Sequence, residues 1–311
     1  TSPMSVVITA FSPVNDIKKT LTPELQDSED TVLVLIDLGL GKNRLGGSAL
    51  AQSYNQLGDS APDIAPELLK KFFDAIQQLR SDDKILAYHD RSDGGLLTAV
   101  SEMMFAGRKG VSLVTDTDPL PMLFSEELGA LIQIEYKDSE NVIRYLREEL
   151  EESVHIVGSV NDSQQLTIKN SSGVIYEQSR AQLESWWAET SYEIQSMRDN
   201  AVGAKQEFDA IKNNDDPGLI AQTTFAVSKK KYTDRPKVAI FREQGVNGQV
   251  EMAAAFDKAG FTSVDVHIQD LLDKKVNLKD FVGLVACGGF SYGDVLGAGE
   301  GWAKTILFHD S

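Results

Sequence analysis

Tyr88-His89-Asp90-Arg91-Ser92-Asp93-Gly94-Gly95-Leu96 marks the place where one texture of sequence gives way to another. The apolar run at 85–88 before it reads as a strand. After it, Leu96, Leu97, Val100, Met103 and Met104 recur at helical spacing, so 96–106 reads as an amphipathic helix. Strand, glycine turn and helix in that order build layered α and β structure. The turn itself has two chemical readings. Free N–H groups at a helix start attract anions, and paired glycines let a phosphate approach the backbone closely. Asp90 would add a hard oxygen for Mg²⁺, which takes one or two carboxylates together with substrate phosphates and water. Equally, Ser92 or Asp93 serves as a helix N-cap and Gly94-Gly95 as a tight turn. Spacing alone favours that plainer reading. A calcium loop is excluded, because the twelfth position counted from Asp90 is Ser101 rather than glutamate.

Outward from this turn, 5–11, 31–37, 111–115, 131–136 and 155–160 are short, apolar and β-branched, and read as strands. Residues 66–79 place Leu68, Leu69, Phe72, Phe73, Ile76 and Leu79 at helical spacing, with Pro66 in the first turn, where a missing N–H costs nothing. A further helix is expected over 140–150, and a hairpin near 165–177. That order predicts an α+β domain over 1–180 rather than a doubly wound sheet. The stretch 181–234 reads as a linker whose first part, 181–200, is helical and carries Leu183, Trp186, Trp187, Tyr192, Ile194 and Met197. From 235 the pattern becomes strand 237–241, helix 248–259, strand 263–267, strand 281–286 and a helix through 302–308. This is the opening of a parallel α/β sheet. Three parallel strands leave bare edges and a thin core, so the chain reads as a fragment.

Bulk properties narrow the function. Forty-seven acidic against 30 basic residues give a formal net charge of -17, a field that repels nucleic acid and anionic membrane. The single cysteine, Cys287, forbids an intrachain disulfide and a Cys-rich zinc site. No apolar run is long enough to span a bilayer, and a cytoplasmic setting is expected.

Three other stretches invite chemistry. The basic glycine loop at 39–48 fails the Walker template, because Ile36 stands five before Gly41 and Asn43 follows Lys42. It also fails the dinucleotide fingerprint, because Arg44 replaces the last glycine. A plain turn is the expectation there. Glu126-Glu127 either lines a site or caps a turn, and solvent or a turn is the expectation. Cys287-Gly288-Gly289 follows a parallel strand, where ligands bind in such sheets. However, Ala286 precedes the cysteine where a nucleophile elbow needs glycine. None of the four histidines has spacing that marks it as a base. A buried, unreactive thiol is expected, with Gly288 and Gly289 free to turn N–H groups toward an oxyanion.

Taken together, HDRSDGGL at 89–96, NRLGGS at 43–48, REQGVNG at 242–248, ACGGFSYGD at 286–294 and GAGEGWAK at 297–304 resemble the formylglycinamide ribonucleotide amidotransferase family (phosphoribosylformylglycinamidine synthases) in its large single-chain form. The resemblance implies an α+β domain of the aminoimidazole ribonucleotide synthetase C-terminal type over 1–180. A helical linker over 181–234 would follow, then a truncated flavodoxin-like α/β domain, the start of a class I glutaminase, over 235–311. It implies a ligase that uses formylglycinamide ribonucleotide, ATP and glutamine, with Mg²⁺. By motif, Asp90 would match a metal ligand, Ser92 an ATP or ADP contact at an auxiliary structural site, and Gly288 and Gly289 an oxyanion-hole loop. The family's nucleophilic Cys, with its His and Glu, would lie beyond Ser311, and further domains would precede residue 1. The piece alone is therefore expected to be inactive. The alternative is a non-catalytic scaffold module holding structural ADP and Mg²⁺.

Overall fold

The computed structural model describes residues 7–27, 30–115, 118–216, 218–219, 221–226 and 231–309. The chain divides after Leu219 into two compact units. The first contains β1 (Thr31–Asp37), α1 (Ala49–Ser53), α2 (Pro66–Ser81), β2 (Ala87–Asp90), α3 (Gly95–Gly107), β3 (Gly110–Val114), α4 (Pro119–Phe124), β4 (Gly129–Glu135), α5 (Tyr136–Leu150), β5 (Val154–Asn161), β6 (Gln165–Asn170), β7 (Gly173–Ser179), α6 (Arg180–Arg198) and α7 (Ala201–Ala210). Its seven strands form one sheet in the order β2-β4-β1-β5-β3-β6-β7. Neighbours run antiparallel except β3 and β6, which are parallel. The expected α+β arrangement is what forms.

Side chains alternate across a strand, so β1 feeds two cores. Val34 and Ile36, with Ile132 and Ile134 of β4, pack against Phe72, Ile76 and Leu79 of α2 and Val142, Leu146 and Leu150 of α5. Leu33, Leu35 and Leu131 point the other way, into Leu96, Val100, Met103 and Met104 of α3. Helices therefore cover both faces of the central strands, which is why β1 is an unbroken apolar run up to Asp37. Each of these side chains contributes about 1.5–3 kcal/mol by leaving water. The buried Gln133 in β4 is fully occupied: its amide donates to the Gln26 carbonyl and Thr31 Oγ1, both at 3.1 Å, and accepts from Gln26 N at 2.8 Å.

The segment expected as a strand at 5–11 is not one. Residues 5 and 6 lie outside the described residues, and 7–11 form no ladder, with Val7, Ile8 and Phe11 almost wholly exposed. Apolar β-branched composition is not sufficient where no neighbouring strand supplies hydrogen bonds and no layer supplies burial. In α2, likewise, Phe72, Ile76 and Leu79 are buried while Leu69 and Phe73 are exposed, a narrower stripe than the spacing suggests. Helix α6 begins at Arg180, which is fully buried and donates to Gln164 Oε1 and Asn214 Oδ1 at 2.7 Å each. Its Trp187 ring lies 6.0 Å from that of Phe105 in α3. The helical part of the 181–234 stretch is thus packed against the first unit, and the division between units falls later in that stretch.

The second unit holds β8 (Lys237–Arg242), α8 (Gln249–Lys258), β9 (Thr262–His267), α9 (Ile268–Leu272), β10 (Gly283–Ala286) and α10 (Ala298–Leu307). Its three strands are parallel in the order β10-β8-β9, as the α/β pattern predicts. Phe241, Val266, Ile268 and Trp302 fill one side. Val238, Ile240 and Cys287 fill the other, against Met252 and Phe256 of α8. Among the described residues no helix is long and apolar enough to cross a membrane.

Candidate functional site

The Asp90 turn leaves the end of β2, an edge strand of the first sheet. Asp90, Ser92 and Asp93 are exposed. The N-cap of α3 is Gly94, in left-handed conformation with φ 81°, and no side chain caps it. Neither Ser92 nor Asp93 therefore acts as the cap of this helix, which removes one of the plainer readings of their presence. The tight turn is real: Gly95 is also left-handed, with φ 69°, and its N–H donates to the Ser92 carbonyl at 2.9 Å. A Cβ on Gly95 would meet the Ser125 and Leu123 carbonyl oxygens at 2.7 and 2.8 Å, so the helix start is pressed against 123–125. Asp90 itself accepts the Tyr88 hydroxyl at 2.5 Å. Burial first, and then the bond to Asp90 and its charge, push the Tyr88 phenol well above its ordinary value. Tyr88 is thus a permanent donor. It takes up Oδ1 and leaves the rest of an exposed carboxylate open to solvent.

What holds this turn is a set of charge pairings that the sequence does not reveal. Asp37, at the end of β1, pairs with the Arg91 guanidinium, and both side chains are buried. Arg91 Nε also donates to the Glu127 carbonyl at 2.6 Å. Burial by itself would raise the Asp37 carboxyl. The Arg91 charge and hydrogen bond, with the N–H groups of Gly41 and Gly39 at 2.7 and 3.1 Å, outweigh it and hold Asp37 below the usual carboxylate range. Arg91 Nη1 is buried with no acceptor among the described residues. A buried donor of that kind is uncommon and is usually met by water or a ligand oxygen.

Of the adjacent glutamates, Glu127 does not face solvent, contrary to expectation, while Glu126 does cap a turn, the one at Gly94. Glu127 is fully buried, and its carboxylate receives Arg44 Nε at 2.6 Å, Arg44 Nη2 at 2.8 Å and Arg44 N at 3.1 Å. This two-pronged pairing is the strong form of an arginine–carboxylate contact. Glu126 Oε1 accepts from Gly94 N and from Ala49 N, each at 2.8 Å. The basic loop at 39–48 does turn, as expected, but it is fastened at its middle, by Arg44, and just after its end, by Ala49, to the segment that backs the Asp90 turn. Beside it lies a cleft of about 350 Å³ reached by Asp37, Gly41, Asn43, Thr115 and His155.

In the second unit, Cys287 is 5% exposed, and burial, then the Asp265 charge, push its thiol above the ordinary value. It is a core side chain, as the sequence predicts. Gly288 and Gly289 follow it and are exposed. Gly289 has φ 150° and forms an isolated bridge with Val246, while the next residue, Phe290, donates its N–H to the Gly245 carbonyl at 2.7 Å. Among the described residues, neither the Gly288 nor the Gly289 N–H has a protein acceptor. An apolar cavity of about 550 Å³ adjoins them, walled by Phe241, Leu284, Trp302 and Ile306.

Among the described residues, no group of three or more His, Cys, Asp or Glu side chains is gathered as metal ligands. Asp90 stands alone. A single open carboxylate matches the chemistry of Mg²⁺, which draws its other oxygens from phosphates and water, and does not match zinc.

Two family models match the chain. Residues 28–170 match the C-terminal domain of AIR synthase related proteins, and residues 235–311 match the CobB/CobQ-like glutamine amidotransferase domain. Among solved structures, PurL of T. maritima complexed with ATP is similar over 54% of this chain and 27% of that one, at 17% identity and a TM-score of 0.42. PurL of T. maritima complexed with FGAR is similar over 54% and 30%, at 15% identity and 0.43. The E. coli hydrogenase maturation protein HypE is similar over 51% and 52%, at 19% identity and 0.39. The chain spans less than a third of the length of these PurL structures. The chain thus carries, in this order, one region similar to each of these two domain families.

Proposed function

We propose that this chain is part of an ATP- and glutamine-dependent ligase that converts formylglycinamide ribonucleotide to formylglycinamidine ribonucleotide in cytoplasmic purine biosynthesis. The observation that carries the reading is the Asp90 turn, an exposed carboxylate and hydroxyl at a left-handed glycine pair, held by the buried Asp37–Arg91 pair and backed by the partly buried Arg44–Glu127 pair. Asp90 would hold Mg²⁺, and Ser92 would contact the polyphosphate of ATP or ADP. Bound there, Mg²⁺ would neutralise phosphate charge that a chain of net charge -17 otherwise repels. In the second unit the free N–H groups of Gly288 and Gly289 are suited to receive the oxyanion formed from glutamine's amide carbonyl. Cys287 takes no part as nucleophile, since a buried, protonated thiol is inert. Ammonia released from glutamine would displace phosphate from an ATP-activated amide oxygen.

A second reading has an observation of its own. With no group of three or more ligand side chains gathered among the described residues, the turn suits a structural ADP and Mg²⁺ as well as a turning-over one. The nucleotide site is common to both and is tested first. Isothermal titration of Mg²⁺-ADP into the wild-type chain is expected to saturate, and Asp90→Ala, an exposed position, is expected to lose that binding while keeping its thermal unfolding profile. Equal binding by wild type and variant would remove Asp90 from the site.

A further inference from the structure

We propose that Glu126 is a positioning residue that sets the geometry of the nucleotide turn by tying it to the 39–48 loop. The inference rests on the nucleotide reading above and goes beyond it, to a residue that touches neither metal nor nucleotide. Glu126 Oε1 is a single acceptor shared by two backbone donors from separate segments, Gly94 N and Ala49 N, each at 2.8 Å. Gly94 sits inside the turn that carries Asp90 and Ser92, and it is the left-handed cap at which α3 begins. Ala49 is the first residue of α1, directly after the glycine loop. Neighbouring Glu127 grips the same loop at Arg44. Consecutive carboxylates thus fasten the loop at two points, but only the Glu126 side chain also bonds the turn, Glu127 meeting it through its backbone carbonyl at Arg91.

The two glutamates differ in what their loss would do. Glu127 is fully buried and holds the partly buried Arg44 guanidinium through two side-chain bonds, so removing it empties a packed site and leaves that guanidinium without its counter-charge, which destabilises the fold. Glu126 is only partly buried and its partners here are backbone N–H groups, which water can reach once the side chain is gone. Its loss should therefore cost little stability while freeing the turn to drift. Binding by a preorganised turn is sensitive to such drift, because the lost order must be regained on association. Ala49 offers a second way to cut the same link. It occupies the first helical position, where proline is well tolerated. Ser48 before it already has φ -63° and ψ 159°, the extended conformation that a following proline requires. Ala49→Pro thus deletes one donor to Glu126 without touching the turn.

The test is titration of Mg²⁺-ADP into the full chain, with thermal unfolding in parallel. Glu126→Ala is expected to weaken binding about tenfold, the loss of charge-assisted hydrogen bonds, with the unfolding midpoint moved by only a few degrees. Glu126→Gln keeps an acceptor oxygen and should bind within about threefold of wild type. Ala49→Pro should weaken binding, and the Glu126→Ala/Ala49→Pro double variant should bind no more weakly than Glu126→Ala alone, because both cut one link. Wild-type affinity in Glu126→Ala, or losses that multiply in the double variant, would overturn the proposal. If Glu126→Ala fails to fold, Ala49→Pro decides alone, and wild-type affinity there overturns it. A wild-type chain that binds no Mg²⁺-ADP would be a different failure, that of the nucleotide reading, and the positioning role would fall with it.

Discussion

Two glycine pairs, Gly94-Gly95 and Gly288-Gly289, carry the two proposed sites, and they are held by opposite means. The first is fixed by side chains from far away: Arg91 to Asp37, Glu126 to Ala49 and Gly94, Glu127 to Arg44. The second is fixed by backbone alone, through the bridge to Val246 and the Phe290 N–H on the Gly245 carbonyl. A turn held by charges fails when a charge is removed or titrated. A loop held by close backbone approach fails when a Cβ is added. The second kind needs few residues beyond its own short segment, whereas the first draws on much of its domain.

The largest effect separating the two is expected for Arg91→Met. It leaves the Asp37 carboxylate buried beside its two N–H donors without a counter-charge, and should cost about 3–5 kcal/mol in chemical denaturation of the first unit. A loss below about 1 kcal/mol would mean that the ion pair does not lock the turn. Next is the glycine contrast in the second unit. At Gly289, φ is 150° and a Cβ would meet Asn247 N and the Gly245 carbonyl oxygen at 2.8 Å each, whereas one on Gly288 meets nothing within 4 Å. Gly289→Ala should therefore lose about 1–3 kcal/mol, and Gly288→Ala should unfold like wild type. Equal behaviour of the two would break the backbone account.

Acid should act on the first unit through Asp37. Its folded value lies below its unfolded one, so the stability it contributes is fully present above about pH 4 and is lost as pH falls through the lowered value. Unfolding followed from pH 5 to pH 2 should show that loss, and Asp37→Asn should flatten it. An unchanged slope in the variant would assign the acid response to other carboxylates. The smallest effect is at Cys287. Its thiol should react with a disulfide reagent at neutral pH only as fast as the second unit opens, and rapid stoichiometric labelling of native protein would show an accessible thiolate.

Much of the architecture was legible because it is local. The β-branched run from Thr31 to Asp37 needs only its own pattern, as does the helix spacing of Leu96, Val100 and Met103. The polar lock was not legible, because Asp37 and Arg91, or Arg44 and Glu127, meet only after the sheet has formed. The available signals were weak ones: an aspartate ending an apolar strand, and two glutamates set between apolar runs. Helix α4 was hidden by Pro119 and Pro121, which look like breakers but fall in a first turn, where N–H groups have no helical partner. Helix α7 was hidden by its weak amphipathic pattern, although Asn200 caps it by accepting from Val202 N and Gly203 N at 3.0 and 2.9 Å. At 7–11 the local signal misled, since composition there was not matched by a partner edge.

The most direct measurement is a crystal structure of this chain grown with Mn²⁺ and ADP, read by anomalous scattering. The metal is expected within about 2.0–2.2 Å of an Asp90 carboxylate oxygen, with the polyphosphate beside Ser92 and the Asp37–Arg91 and Arg44–Glu127 pairs intact. Nucleotide bound elsewhere, or a metal with no contact to Asp90, would contradict the claim that this turn is built to receive it.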